Sequence, residues 1–515
     1  MEIGRQVIRL NESLFEGLGE NTTECEAIIP DYFQEVYKVV RAEATPRVRD
    51  RRIENDRLVV EGVVEFRILY LPEDGKTLRS FSHAEDFQQV FVVGNMRPGC
   101  HVRVRTKVEY VGCRLLNPRK AYLKAVLSIA VKVWAQRELE AVKYSETETT
   151  HMQKKDVLVF DLISTAHKSF RISEDLDLYK GETGDGYVIK SEAGIRFEDA
   201  KLISNKVIAK GAATLRTLFC SGPDNPPEVA EHSIPFSQII DLEGVDETCD
   251  CEISFEVTEV KTLLKDNITG SSCIMQVEVG CSAYARAFKN QWVTLSQDAF
   301  DTTCEVTLES KSVTLERYLE KVEGVAMVKD TVPSAEPIES ILDVSAFPEI
   351  SGVAYDGKEL TISGTVETLL LGVSAQGDIV NLEKSVPFSH TAALSSPAEH
   401  IRCEPDASLS SASYVIAGDN SVDLRIQLDV EALVFASSTE PVLTNITAGE
   451  EKQVEKENLP VLTLYYASKG ERVWDIAKRF NASPSSIRSA NKIADDDTVE
   501  EGKMLLLPRK RRVRK

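Results

Sequence analysis

Val59-Val60-Glu61-Gly62-Val63-Val64-Glu65-Phe66-Arg67-Ile68-Leu69-Tyr70 carries a pattern that this chain uses three times. It returns as Ile208-Ala209-Lys210-Gly211-Ala212-Ala213-Thr214-Leu215-Arg216-Thr217-Leu218-Phe219. It returns again as Thr361-Ile362-Ser363-Gly364-Thr365-Val366-Glu367-Thr368-Leu369-Leu370-Leu371-Gly372. The glycines stand 149 and 153 residues apart (211−62 and 364−211). Each segment alternates or runs apolar as a strand does. A glycine in the middle of a strand marks a bulge or a close approach of another chain segment.

Three further marks keep the same order. Phe87 and Phe236 each lie 25 residues after their glycine and Phe388 lies 24 after; Pro235 and Pro387 precede the last two. Turns follow at Asn117-Pro118, Asp266-Asn267 and Asp419-Asn420, opening strands at Ala121 to Val133, Cys273 to Val279 and Val422 to Val434. The units open on Val7 to Glu12, Ser169 to Glu174 and Ser312 to Arg317. Internal repetition of this kind is read before any single strand. It predicts three homologous β-rich domains, at residues 1–160, 161–307 and 308–447, each a sandwich or a partly open barrel. Val102, Val104, Thr106 and Val108 alternate with Arg103, Arg105 and Lys107, which gives one buried and one wet face. Apolar spacing turns helical at Asp31 to Val40 and Pro337 to Asp343, where short helices fit. Domains in series would give reach and add several weak contacts on one chain.

Residues 448–459 are charged and nearly free of apolar side chains, as in a flexible tether. Residues 460–508 read differently. Leu462 to Tyr465 is a short strand that Gly470 breaks. Val473, Ile476, Ala477 and Phe480 share one helix face. Ser483 and Pro484 suit the start of a second helix, with Ile487 and Ala490 on its apolar side. Met504 to Leu507 closes with a strand that Pro508 ends. Residues 509–515, Arg509-Lys510-Arg511-Arg512-Val513-Arg514-Lys515, form a basic tail.

Gly470, Trp474, Ile476, Ala477, Phe480, Asn491 and Leu505 to Pro508 resemble the LysM domain in register, a small βααβ fold. Ile28-Ile29-Pro30-Asp31, Asp56 to Gly62 and Leu69-Tyr70 resemble the SPOCS domain of spore-forming Firmicutes. Together they resemble the SipL-like family of spore-coat morphogenetic proteins. The resemblance implies a non-enzymatic scaffold of the mother cell. It implies a hook, the LysM domain, that grips a SpoIVA-like coat ATPase at the forespore surface, with other coat proteins as further partners. LysM domains commonly bind N-acetylglucosamine polymers, which gives the alternative, a peptidoglycan-binding protein of wall or cortex. In either case the contact residues are Lys469, Gly470, Glu471, Arg472, Trp474, Asn491, Lys492 and Ile493. The usual Asp-Thr pair is here Glu471-Arg472, which removes the hydroxyl that caps the helix and lines the sugar groove.

Composition sets the outer bounds. With 515 residues, 42% hydrophobic and 28% charged, the chain is of ordinary globular make-up and too long for one core. A formal charge of −21 excludes broad nucleic-acid binding. The basic tail could touch an anionic membrane or an acidic partner. Met1-Glu2-Ile3-Gly4-Arg5 has no signal-peptide character, and no apolar run spans a bilayer. The resemblance implies a location in the mother-cell cytoplasm at the forespore, then the coat. Ten scattered cysteines read as reduced thiols. Cys249-Asp250-Cys251 has no second pair near it, His101 beside Cys100 and His400 near Cys403 belong to different repeats, and the other histidines are dispersed. No metal site, cofactor or catalytic residue is predicted. Neither Gly17-Leu18-Gly19 nor Gly181, Gly184 and Gly186 leads into Gly-Lys-Ser/Thr, which argues against a phosphate loop.

Overall fold

A computed structural model describes residues 2–508, apart from 74, 76, 95, 97–99, 181–185, 223–224, 267–271, 419, 453–461 and 494–497. The basic tail, Gly181, Gly184, Asn267, Asp419 and most of the tether lie outside the described residues.

Three units of one topology make up the body. Unit 1 holds β1 (Ile3–Ile28), β2 (Lys38–Glu54), β3 (Arg57–Leu71), β4 (Arg79–Val92), β5 (His101–Asn117) and β6 (Lys120–Ser145). Unit 2 holds β7 (Thr150–Lys180), β8 (Tyr187–Ile203), β9 (Lys206–Cys220), β10 (Glu228–Asp241), β11 (Asp250–Asp266) and β12 (Ser272–Asp301). Unit 3 holds β13 (Cys304–Pro333), β14 (Ile338–Tyr355), β15 (Glu359–Ser374), β16 (Ile379–Ala393), β17 (Ile401–Ile416) and β18 (Ser421–Glu451). Each unit is two antiparallel three-stranded sheets, β2-β3-β4 and β1-β6-β5 in unit 1 and their counterparts elsewhere. The sandwich alternative is the one the chain adopts. In unit 1 the facing layers are Leu58, Val60, Val64, Phe66, Ile68 and Tyr70 of β3 and every second residue of β6 from Ala121 to Val133. β6 shows the period-two burial of a strand with one face in the core.

The repeated glycine and phenylalanine are partners. Gly62 lies directly opposite Phe87, Gly211 opposite Phe236, and Gly364 opposite Phe388. A Cβ on these glycines would strike the phenylalanine ring on one side and the carbonyl oxygen of Arg47, Arg196 or Glu349 on the other. The neighbouring strand bulges at the same level, between Val48 and Asp50, Phe197 and Asp199, and Ile350 and Gly352. Both readings of a mid-strand glycine, bulge and close approach, hold at all three. Pro235 and Pro387 sit on the edge strands β10 and β16, where a missing N–H breaks no central ladder.

Several expectations need correcting. No helix forms at Asp31 to Val40 or at Pro337 to Asp343; Lys38 opens β2 and Ile338 opens β14. Bulges between Val39 and Arg41, and between Ile341 and Asp343, insert one residue and interrupt the alternation of faces. Neighbouring apolar residues then imitate a helical spacing. The boundaries at 160/161 and 307/308 fall inside β7 and β13, since the units run from Ile3, Thr150 and Cys304. The opening mark is out of step in unit 2. Ile8 and Leu10 share a core with Val157 and Val159, and with Val313 and Leu315, so Val157 rather than Phe170 is the counterpart. β18 continues to Glu451, into the stretch read as a tether.

The units are not strung in series. β4 lies against β8, β10 against β14, and β16 returns to β2, so the inner sheets close head to tail. The bulge of β8 between Val188 and Lys190, in unit 2, matches those of β2 and β14. The three bulges place Val40, Ile189 and Leu342 together. They join Leu69, Leu218 and Leu371, each seven residues after its unit's glycine, in one shared apolar cluster. The next positions are charged. Lys190, only 3% exposed, bonds Glu43 of unit 1 at 3.2 Å and Asp343 of unit 3 at 3.2 Å. Burial works against its charge, but Glu192, Glu43 and Asp343 raise its pKa above the usual lysine range. Arg41 donates to the Leu370 carbonyl at 2.8 Å, and Arg216 reaches Asp343. A second junction joins Arg286 of unit 2 to Glu404 of unit 3, with Arg103 of unit 1 beside it.

Candidate binding surface on the LysM-like domain

After the body come β19 (Leu462–Tyr466), α1 (Val473–Arg479), α2 (Pro484–Asn491) and β20 (Met504–Pro508), with β19 and β20 paired antiparallel. This is the expected order of strand, helix, helix, strand. Gly470 breaks the chain after β19 at φ +73°, which a side chain resists. Val473, Ile476, Ala477, Ile487, Leu505 and Leu507 are buried together and Phe480 packs at their edge. Ala490 is exposed; Pro484 takes the apolar place beside Ile487.

The eight expected contact residues divide into three groups. Lys469, Gly470, Arg472 and Lys492 are exposed on the two loops. Arg472 pairs with Asp475 at 2.9 Å and leaves α1 without a side-chain cap, as the loss of the threonine implies.

Glu471, Asn491 and Ile493 serve the domain itself. The Glu471 carboxylate accepts from the Tyr465 hydroxyl at 2.8 Å, the Ser468 N–H at 3.0 Å and Arg479 at 2.9 Å. Burial raises its pKa, but these donors hold it below the usual carboxylate range. Asn491 donates to the carbonyls of Ile487 and Leu506 and accepts the Leu506 N–H at 2.7 Å, which ties α2 to β20. Ile493 packs on the core.

Trp474 has a different environment. It is 4% exposed and its ring meets Phe300 of β12 edge-on, with centroids 5.1 Å apart. Its indole N–H donates to Asp298 Oδ2 at 2.8 Å, and Lys478 reaches both oxygens of Asp298 at 2.8 Å. Asn481 donates to the Thr302 carbonyl at 2.8 Å. Lys452, just after β18, bonds Asn481 Oδ1 at 2.8 Å and the Asp301 carbonyl at 2.6 Å. The small domain therefore completes its core with Phe300 and docks on the end of β12. That surface was not foreseen. The signal for it was present, since Trp474, Lys478 and Asn481 fall at i, i+4 and i+7, a stripe beside the core stripe.

Asp301 fixes the receiving strand end. It is 1% exposed and accepts from Thr149, Thr150, the Thr303 hydroxyl and the Thr303 N–H. Burial raises its pKa, but this ring of donors, Thr303 foremost, holds the carboxyl far below the ordinary range. Among the described residues no disulfide joins any two cysteines. Among the described residues no helix is long and apolar enough to cross a membrane.

Comparison with known families agrees with this architecture. Residues 35–116 and 186–265 match the family described as SipL, SPOCS domain; they span β2 to β5 of unit 1 and β8 to β11 of unit 2. Residues 465–508 match the LysM domain. No curated protein and no solved structure matches the chain. On these matches the chain is a SipL-like protein with SPOCS domains and a C-terminal LysM domain.

Proposed function

We propose that this sporulation-related LysM protein is a scaffold of spore-coat assembly that tethers the coat to the forespore by gripping a SpoIVA-like coat ATPase. SPOCS and LysM are non-catalytic families, and the reading is of a non-enzyme. One observation carries it. The LysM domain is held on the body through Trp474, Lys478 and Asn481, while Lys469, Arg472 and Lys492 remain exposed on its loops. A domain held on one face presents its free loops in a fixed direction, which cuts the ordering cost of binding. Lys469, Arg472 and Lys492 are basic on a chain of charge −21, which suits an acidic patch on the partner. The site of action on this reading is the mother-cell cytoplasm at the forespore, with other coat proteins joining later.

The test is a binary binding measurement between the full-length chain and the coat ATPase. Lys469→Glu with Arg472→Glu should weaken binding at least about tenfold while the melting curve stays put, because both side chains are exposed. Equal binding by the double variant would sink the hook. Pelleting with peptidoglycan, reversed by chitin oligomers, would favour a glycan partner instead.

A further inference from the structure

Unit 1 departs from unit 3 at one matched pair of positions. Cys25 of β1 lies opposite Leu123, and Asp330 of β13 opposite Leu424. Both leucines stand eleven residues before their unit's matched aromatic (134−123 and 435−424), Trp134 and Phe435. His83 of β4 lies opposite Phe66, and Lys384 of β16 opposite Thr368, each four residues past its unit's glycine (66−62 and 368−364). In unit 3 these positions meet directly, with the Lys384 ammonium 2.8 Å from Asp330. That ion pair ties the first long strand to the edge of the inner sheet.

Unit 1 has a thiol and an imidazole at those places, and adds Glu85, two residues from His83 on the same face of β4. One sulfur, one ring nitrogen and one carboxylate oxygen lie within 4.8 Å of one another. His83 Nε2 is 3.5 Å from Glu85 Oε2, yet it is buried without a hydrogen-bond partner among the described residues. A buried polar atom left in that state asks for an explanation.

Thiolate, imidazole and carboxylate are the three donor types of zinc sites. Around a tetrahedral ion with bonds of about 2.0–2.3 Å, neighbouring donors stand about 3.3–3.8 Å apart. The nitrogen–oxygen separation already falls there, and small side-chain rotations bring in the sulfur. We propose that Cys25, His83 and Glu85 bind one divalent cation of the zinc class, linking β1 to β4 where unit 3 uses Lys384 and Asp330. All three side chains are half-buried rather than enclosed, which leaves a coordination position for water. Binding breaks the S–H bond of Cys25, forms a metal–sulfur bond and releases the proton to solvent, so affinity falls in acid. The ligands span 60 residues (85−25), which is why no local spacing marks the site.

The experiment uses the full-length protein, stripped with a chelator and titrated with zinc against a chromophoric competitor. Wild type should take up one equivalent and gain in melting temperature. With cobalt it should show a thiolate charge-transfer band in the near ultraviolet. Cys25→Ala and His83→Gln should each lower affinity at least about tenfold and lose the zinc-dependent rise; Cys113→Ala should keep both. Wild type without stoichiometric zinc overturns the proposal, and so does an unchanged band and stoichiometry in Cys25→Ala. Should Cys25→Ala melt early without metal, Glu85→Gln replaces it in the comparison, because its side chain lies outside the core. Unchanged zinc affinity in that variant overturns the proposal too.

Discussion

Trp474 donates its indole N–H to Asp298 at 2.8 Å, across 176 residues of sequence. The same carboxylate holds Lys478, so one side chain of unit 2 gathers two residues of α1. Asp298→Ala leaves the indole N–H without its acceptor and should loosen the docked domain by roughly 1–3 kcal/mol. Hydrogen exchange over residues 473–480 should rise by a matching factor while exchange in β3 and β9 is unchanged. Equal protection in variant and wild type would show that Phe300 packing alone holds the domain.

Gly364→Ala drives a methyl group into the Glu349 carbonyl and the Phe388 ring. The carbonyl is backbone and cannot swing aside. A loss of about 1–3 kcal/mol is expected in thermal or urea melts. Gly352→Ala is the control, since its Cβ would meet only Ser363 Oγ at 3.8 Å. Similar losses in the two variants would remove the special status of the repeated glycine.

Lys190→Met leaves Glu43, Glu192 and Asp343 with one fewer cation in a buried junction. Removing one partner of a buried ion pair costs roughly 3–5 kcal/mol. Adding Glu43→Gln should return part of that loss, because it withdraws one of the stranded charges. Additive losses in denaturant melts would count against a shared network.

Acid should weaken the body in two stages. Burial, helped by Arg286, Arg103 and Arg51 and opposed by Glu404, lowers the His101 pKa to about 4. A depressed histidine stabilises fully above its unfolded value near 6.5, and that support fades as pH falls towards 4. Burial raises the Glu404 pKa, but Arg286 and Arg402 bring it down to about 2. Its support is complete above about 4.5 and fades towards 2. His101→Gln should reduce the slope of melting temperature between pH 6.5 and 4, and Glu404→Gln should reduce it below 4.5, where Asp301 and Glu471 still contribute. A wild-type curve level from pH 6.5 to 3 would contradict both assignments.

The strands, the repeated glycines and the βααβ domain were all legible, because alternation of faces and helical periodicity are local. The ring was not. Arg41, Lys190 and Asp343 occupy one position in three copies, yet they differ in charge and match only when brought together. The helix expected near Val40 failed for the same reason. A bulge looks like an error of spacing until its partner strand is known. In the LysM domain Trp474 stood out in the motif, but its acceptor, Asp298, lies 176 residues away and carries no local mark.

The return of β16 to β2 has an evolutionary consequence. An open stack of repeats can lengthen by gene duplication, because its last member always offers a fresh edge. Here the first and last inner strands already occupy one another, so a fourth copy inserted in tandem would have no neighbour to complete. Copy number is thereby set by geometry, and divergence among the three members becomes the remaining route to new chemistry, as the thiol and imidazole of the first member illustrate.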